Sequence, residues 1–177
     1  MRRILLLVAT MAMTLVVASG VAWAATIVGT NGDDTRTGTE KQDFMYGLGG
    51  DDTLKGLAGN DKIDGGAGKD EIRGGSGNDE VTGGGGADTI ILGTSPTNGQ
   101  DEAYGGSGAD FINADNGTHD DVYAGSGNDT INAGDGAQDV IDCGYFASPA
   151  SGLPDTDTVV VDNIDILIDC ENVSFVL

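Results

Sequence analysis

Large apolar residues recur along this chain at an interval of nine. Cut from Gly47, the segments GLGGDDTLK, GLAGNDKID, GGAGKDEIR, GGSGNDEVT and GGGGADTII align without gaps over 47–91. In each, position 8 is apolar, and in the first four it lies between two more polar neighbours, as Leu54 does between Thr53 and Lys55, and Ile72 between Glu71 and Arg73. That alternation predicts a three-residue strand at positions 7–9 with one inward side chain. Glycines at positions 1, 2 and 4 predict a sharp turn before each strand, because glycine alone enters φ > 0 freely. The period extends backward through GTEKQDFMY (38–46) and GTNGDDTRT (29–37). Forward it survives with insertions: LGTSPTNGQDEAY (92–104), GGSGADFIN (105–113), ADNGTHDDVY (114–123), AGSGNDTIN (124–132) and AGDGAQDVID (133–142). A last, degenerate unit starts at Cys143, loops out through Pro149 and Pro154, and returns at Asp157-Thr158-Val159.

All 13 units carry aspartate at position 6 or its shifted equivalent, and 12 carry an apolar residue two places later, the exception being Arg36 in the first unit. Two units make an 18-residue coil with a strand on each side, and successive coils stack in parallel at about 4.8 Å. The expected fold is all-β, a parallel solenoid of about six and a half coils built from nonapeptide half-coils. Its core would be one apolar side chain deep per strand, which is thin against the entropy of ordering so many residues.

The chain opens differently. Met1-Arg2-Arg3 is a positive start, Ile4 to Val17 an apolar stretch, and Ala22-Trp23-Ala24 fits the small-x-small cleavage rule. We read 1–24 as a signal peptide, the mature chain beginning near Ala25, with no membrane span left after cleavage and a secreted, extracellular location. Beyond it stand 6 basic and 29 acidic side chains, a net −23. The six bases (Arg36, Lys41, Lys55, Lys62, Lys69 and Arg73) all precede residue 74, after which 19 acidic residues face only His119. Nucleic acid is excluded as a partner, since phosphate binding needs a basic patch. A chain this acidic needs cations to close up.

The repeats resemble the repeats-in-toxin (RTX, hemolysin-type) family, whose motif is GGxGxDxUx with U a large apolar residue. The likeness covers roughly 29–160, nearly the whole mature chain. It implies a right-handed parallel β-roll that binds several calcium ions. Calcium takes 6–8 oxygen ligands at about 2.3–2.6 Å, and a glycine turn exposes carbonyls to complement the carboxylate. In the family each ion sits between turns of consecutive coils on one side. The implied metal ligands are then Asp52, Asp61, Asp70, Asp79, Asp88, Asp110 and Asp129, paired as Asp52 with Asp70, Asp61 with Asp79, Asp70 with Asp88 and Asp110 with Asp129. Against this stands a metal-free solenoid whose aspartates merely form Asx turns, although asparagine or serine would turn as well without the charge. Magnesium fits less well, because it demands near-octahedral geometry and keeps its waters.

Residues 25–46 read as an N-terminal capping region with degenerate repeats, given Lys41 at a glycine position and Arg36 at an apolar one. Residues 47–142 are the calcium-binding body, and within it the extra residues of units 10 and 12 make Asp120 and Asp139 weaker ligand candidates. Residues 143–177 read as a C-terminal β cap, β-branched and longer-stranded between Thr158 and Val173. Cys143 and Cys170 form an even pair in an exported chain, which favours a disulfide closing that cap; a zinc site would want three or four Cys/His ligands.

Catalytic motifs are missing. Gly74-Gly75-Ser76-Gly77 is followed by Asn78, which breaks G-x-S-x-G, and Gly68-Lys69 lacks the rest of a P-loop. His119 has no identifiable partner, and Asp120-Asp121 is not set apart from the aspartates of other units. The reading is a non-enzymatic calcium-binding repeat protein, an extracellular structural or interaction module for which a cell-surface or matrix polymer is an open partner. The rivals are a carbohydrate-active lyase or epimerase using the outward Tyr46, Tyr104 and Tyr123, a calcium-independent adhesive solenoid, and a disordered ion buffer.

Overall fold

The computed structural model describes residues 24–94, 99–144 and 155–176. The leader before Ala24, most of the insertion after Thr94, and Pro149 and Pro154 lie outside them. Every described element is a strand: β1 (Ala25–Val28), β2 (Thr35–Thr37), β3 (Asp43–Gly49), β4 (Thr53–Ala58), β5 (Lys62–Ala67), β6 (Glu71–Ser76), β7 (Glu80–Gly85) and β8 (Thr89–Gly93). The second half follows with β9 (Glu102–Ser107), β10 (Phe111–Asn113), β11 (Asp121–Ser126), β12 (Thr130–Ala133), β13 (Val140–Asp142), β14 (Thr158–Val161), β15 (Ile166–Ile168) and β16 (Asn172–Phe175). Odd strands form one eight-stranded sheet and even strands another, each in sequence order. All pairings are parallel, and the body runs in register, so that Leu54 stands beside Ile72 and Ile63 beside Val81. This is the all-β parallel solenoid of half-coils that the nine-residue period predicts.

Three features differ from expectation. β4 to β7, β9 and β11 run six residues rather than three, from position 7 through position 3 of the next unit. The extended backbone simply continues into the glycines, and with it the inward–outward alternation. Inward sites are therefore positions 6, 8 and 1, and the core is wider than one side chain per strand. From unit 8 onward, unit 9 with Gly105 excepted, position 1 is filled by Leu92, Ala114, Ala124, Ala133 and Cys143, all fully buried beside the position-8 row of Met45, Leu54, Ile72, Ile112 and their equivalents. The stack also holds eight strands per sheet, because β1, β15 and β16 join it without a glycine turn signature. Finally, the C-terminal segment has no long strands: β14, β15 and β16, of three or four residues each, extend the same two ladders.

Cys143 and Cys170 are joined in a disulfide, with Cα atoms 5.2 Å apart across a separation of 27 residues. It ties the chain end to a buried position-1 site in the stack. Replacing both cysteines by serine is expected to cost about 3.5 kcal/mol through loop entropy, read as a lower urea midpoint in calcium-containing buffer. An unchanged midpoint would show that the ladder alone holds the end.

Position 4 is the tightest glycine site. Gly86 has φ 137°, and a Cβ there would run into the carbonyl of Gly68 in the preceding coil. Gly86→Ala is expected to disrupt the central coils. Gly117→Ala, at φ 81° but with nothing within 4 Å of its Cβ, should cost only about 1–2 kcal/mol. Equal thermal shifts for the two would refute the stacking contact as the cause. Leu48 and Leu57 sit at φ 81° and 87° where later units have glycine.

Candidate metal centre

Each turn delivers its position-6 aspartate to the inside of the coil, because that residue begins the inward alternation that position 8 continues. Asp52, Asp61, Asp70, Asp79, Asp88, Asp110 and Asp129 are all at most 2% exposed. Their carboxylates form two ladders, one per side of the rod. The backbone N–H of Asp52 donates to Oδ1 of Asp70, that of Asp61 to Asp79, that of Asp70 to Asp88 and that of Asp110 to Asp129, each at 2.8 Å. The structure thus stacks directly the residues that the sequence pairs.

The second carboxylate oxygen decides the chemistry. Oδ2 of Asp52, Asp61, Asp70, Asp79, Asp88, Asp110, Asp129, Asp139 and Asp157 is buried with no hydrogen-bond partner. A buried anionic oxygen without a donor is costly, so a row of nine demands a positive counterpart. The surroundings supply further oxygen rather than nitrogen. Asp88 Oδ2 and the carbonyl oxygen of Gly105, in the next coil on that side, each lie 2.6 Å from the point where a Cβ of residue 83 would stand. The same crowding by a carboxylate and a next-coil carbonyl recurs at Gly65, with Asp70 and Gly83. Any side chain at position 1 there would displace one of these oxygens.

Burial lifts the carboxyl groups above the usual carboxylate range. Asp61 is pushed to about 7, by desolvation first and then by the charges of Asp79 and Asp43, against the lowering effect of the Asp43 N–H. Asp70, Asp79 and Asp88 rise to about 6 and Asp129 to about 7, again by desolvation first. Asp110 moves in the same direction for the same reason. Such shifts mark charges that the protein alone does not neutralise.

The N-terminal units are built differently. In unit 1 the N–H of Thr30, at 2.6 Å, and its hydroxyl, at 2.9 Å, both donate to Asp34 Oδ2. In unit 2 Thr39 does the same for Asp43, at 2.5 and 3.0 Å. A threonine at position 2 thus satisfies the oxygen that is bare in the body, which gives the departures of these units a physical content beyond Arg36 and Lys41. Asp120 is also partly satisfied, by Asn116 Nδ2 at 2.7 Å. Asp139, a weaker candidate by sequence for the extra residue of its unit, and Asp157, the position-6 aspartate of the last degenerate unit, both have the bare Oδ2 of the body.

Among the described residues no three His, Cys, Asp or Glu side chains converge on one point. Any ion here takes backbone carbonyls alongside one or two carboxylates. That is a hard, all-oxygen donor set, suited to calcium and unsuited to zinc or copper. Elsewhere, Tyr104 and Tyr123 stack on the outer face of the odd-numbered sheet with ring centroids 5.0 Å apart. The Tyr104 hydroxyl donates to Glu102, which holds the phenol up at about 12. His119 lies 3.8 Å from Asp121 in a turn before β11. No described helix is long and apolar enough to cross a membrane.

Fold and ladder together define a parallel β-solenoid whose turns bring buried carboxylate and carbonyl oxygens close together. The model of the RTX calcium-binding nonapeptide repeat (4 copies) matches residues 28–63, 37–72, 64–94, 97–118 and 116–137, together more than half of the chain. The chain belongs to this family and is a calcium-binding β-roll. Repeats of this kind are typically structural rather than catalytic and typical of secreted proteins. Neither the curated proteins nor the solved structures compared with the chain gave a match.

Proposed function

We propose that this is an exported, extracellular protein that folds as it takes up several calcium ions between successive coils, and that it serves as a non-catalytic structural or interaction module. The ligands are the carboxylates of Asp52, Asp61, Asp70, Asp79, Asp88, Asp110 and Asp129, joined by Asp139 and Asp157, with turn carbonyls completing each sphere. The observation that carries this reading is the row of buried Oδ2 atoms without partners. Calcium is abundant outside the cell, and binding at sites absent from the open chain adds directly to folding free energy. Export is supported by the pattern of residues 1–24 and by the disulfide, which belongs to an oxidising compartment.

Calorimetric calcium titration of the chain from Ala25 onward, beside Asp79→Asn, tests the ligands. The variant keeps an oxygen to accept the Asp61 N–H and loses only the charge. It is expected to bind fewer ions than the parent, with excess magnesium failing to compete in either. An unchanged ion count would remove Asp79 from the ligand set.

A further inference from the structure

Among the described residues β1 and β2 form one end of the stack, β15 and β16 the other, and each of the four is paired on one side only. Edges of this kind are templates for another chain unless they are covered or charged. Among the described residues nothing covers the far end, and it is rich in apolar surface: Ile166, Ile168 and Phe175 are 47%, 42% and 62% exposed, and Leu167 and Val173 continue the core row only partly buried. At the near end Val28 is 52% exposed, and Ile27 packs on the core from one side.

We propose that this protein assembles head to tail with further copies of itself, β15 and β16 of one copy pairing with β1 and β2 of the next. Continuing the observed parallel registers puts Leu167 against Ile27 and Ile168 against Val28 in the odd-numbered sheet. In the even-numbered sheet it puts Val173 against Arg36. Charge selects this arrangement over the symmetric ones. The tail carries Asp162, Asp165, Asp169 and Glu171 with no base, whereas the terminal strand of the head carries Arg36, which pairs with Asp34 of the same end at 2.8 Å and would be shared with the acidic tail of a docked copy. Tail-to-tail docking would oppose carboxylates to carboxylates, and head-to-head docking Arg36 to Arg36. Head to tail, the Arg36 stem covers Val173 while its guanidinium meets the acidic rim. Such a contact uses two different surfaces and does not close on itself, so it builds a linear filament. The inference needs the folded rod and is independent of which ion sustains it.

The test is sedimentation velocity on the chain from Ala25 onward, under conditions where circular dichroism shows the sheet. The mean mass is expected to climb with concentration past that of a dimer. Val28→Lys spoils the head and Ile168→Lys the tail, both on outward-facing positions that leave the core untouched. Each variant alone should stay monomeric, while an equal mixture should stop at a dimer formed through the intact tail of one and the intact head of the other. A folded parent that remains monomeric at every concentration overturns the proposal. So does dimerisation of Val28→Lys alone, which would mean tail-to-tail contact.

Discussion

Moved from calcium into chelator, the chain from Ala25 onward is expected to lose its parallel sheet, seen by far-UV circular dichroism as a change from a sheet spectrum to that of an open chain. The reason lies in what is buried. Fourteen aspartates lie in the interior against the position-8 apolar residues, supplemented at position 1 only from Leu92 onward. Carboxylates one coil apart repel by about 0.9 kcal/mol even at the dielectric of water, and by more inside the rod. Nine of them also hold an oxygen with no donor. Refilling with calcium should restore the sheet, steeply, because adjacent coils share a ladder; magnesium should not. A sheet spectrum identical in chelator would sink metal-coupled folding and leave a metal-free solenoid.

Acid should substitute in part for the ion. Asp61, Asp101 and Asp129 are lifted to about 7, Asp70, Asp79, Asp88 and Asp120 to about 6, and Asp139 to about 8, in each case chiefly by desolvation. In the open chain these groups titrate near 3.8. Between the two values the folded state binds more protons than the unfolded one, so stability falls as pH rises. The stabilisation is complete below about pH 4 and is lost on passing through about 6 to 8. In chelator, acidification from pH 8 to pH 5 is therefore expected to recover sheet signal. In calcium the same protons compete with the metal, so apparent calcium affinity should drop over that range and binding near neutral pH should release protons. Calorimetry in buffers of different ionisation enthalpy reads that release directly. A calcium affinity flat between pH 5 and pH 8 would mean that the buried carboxyls are not the ligands.

Much of this architecture was legible in the residues. The position-8 apolars and position-6 aspartates set the half-coil and the parallel stack, because both recur at an invariant spacing, while the pairing of Asp52 with Asp70 or Asp61 with Asp79 is what the family resemblance implies. What escaped had no distinctive residue type. Position 1 lines the core, yet Gly47 to Gly83 read there only as turn residues, and Ala124 or Cys143 as mild departures from glycine. β1, β15 and β16 lack the glycine turn, so nothing local announces them; they form because an existing strand edge beside them is unpaired. The bare oxygens are a property of stacking and could not be seen in one unit. Thr30 and Thr39 differ from Leu48 by a hydroxyl and a backbone angle, and only the fold shows that this difference decides whether the carboxylate below is satisfied.

The carboxylate ladder also has an arrow. Every donor belongs to the earlier coil and every accepting Oδ1 to the later one, from Ala25 N–H on Asp43 through Asp139 N–H on Asp165. At the far end Asp157 N–H finds Glu171 instead of an aspartate. The coil that has no successor in this ladder therefore depends on Glu171 for the acceptor that an aspartate supplies everywhere else, so the ladder is closed by one residue near the chain end.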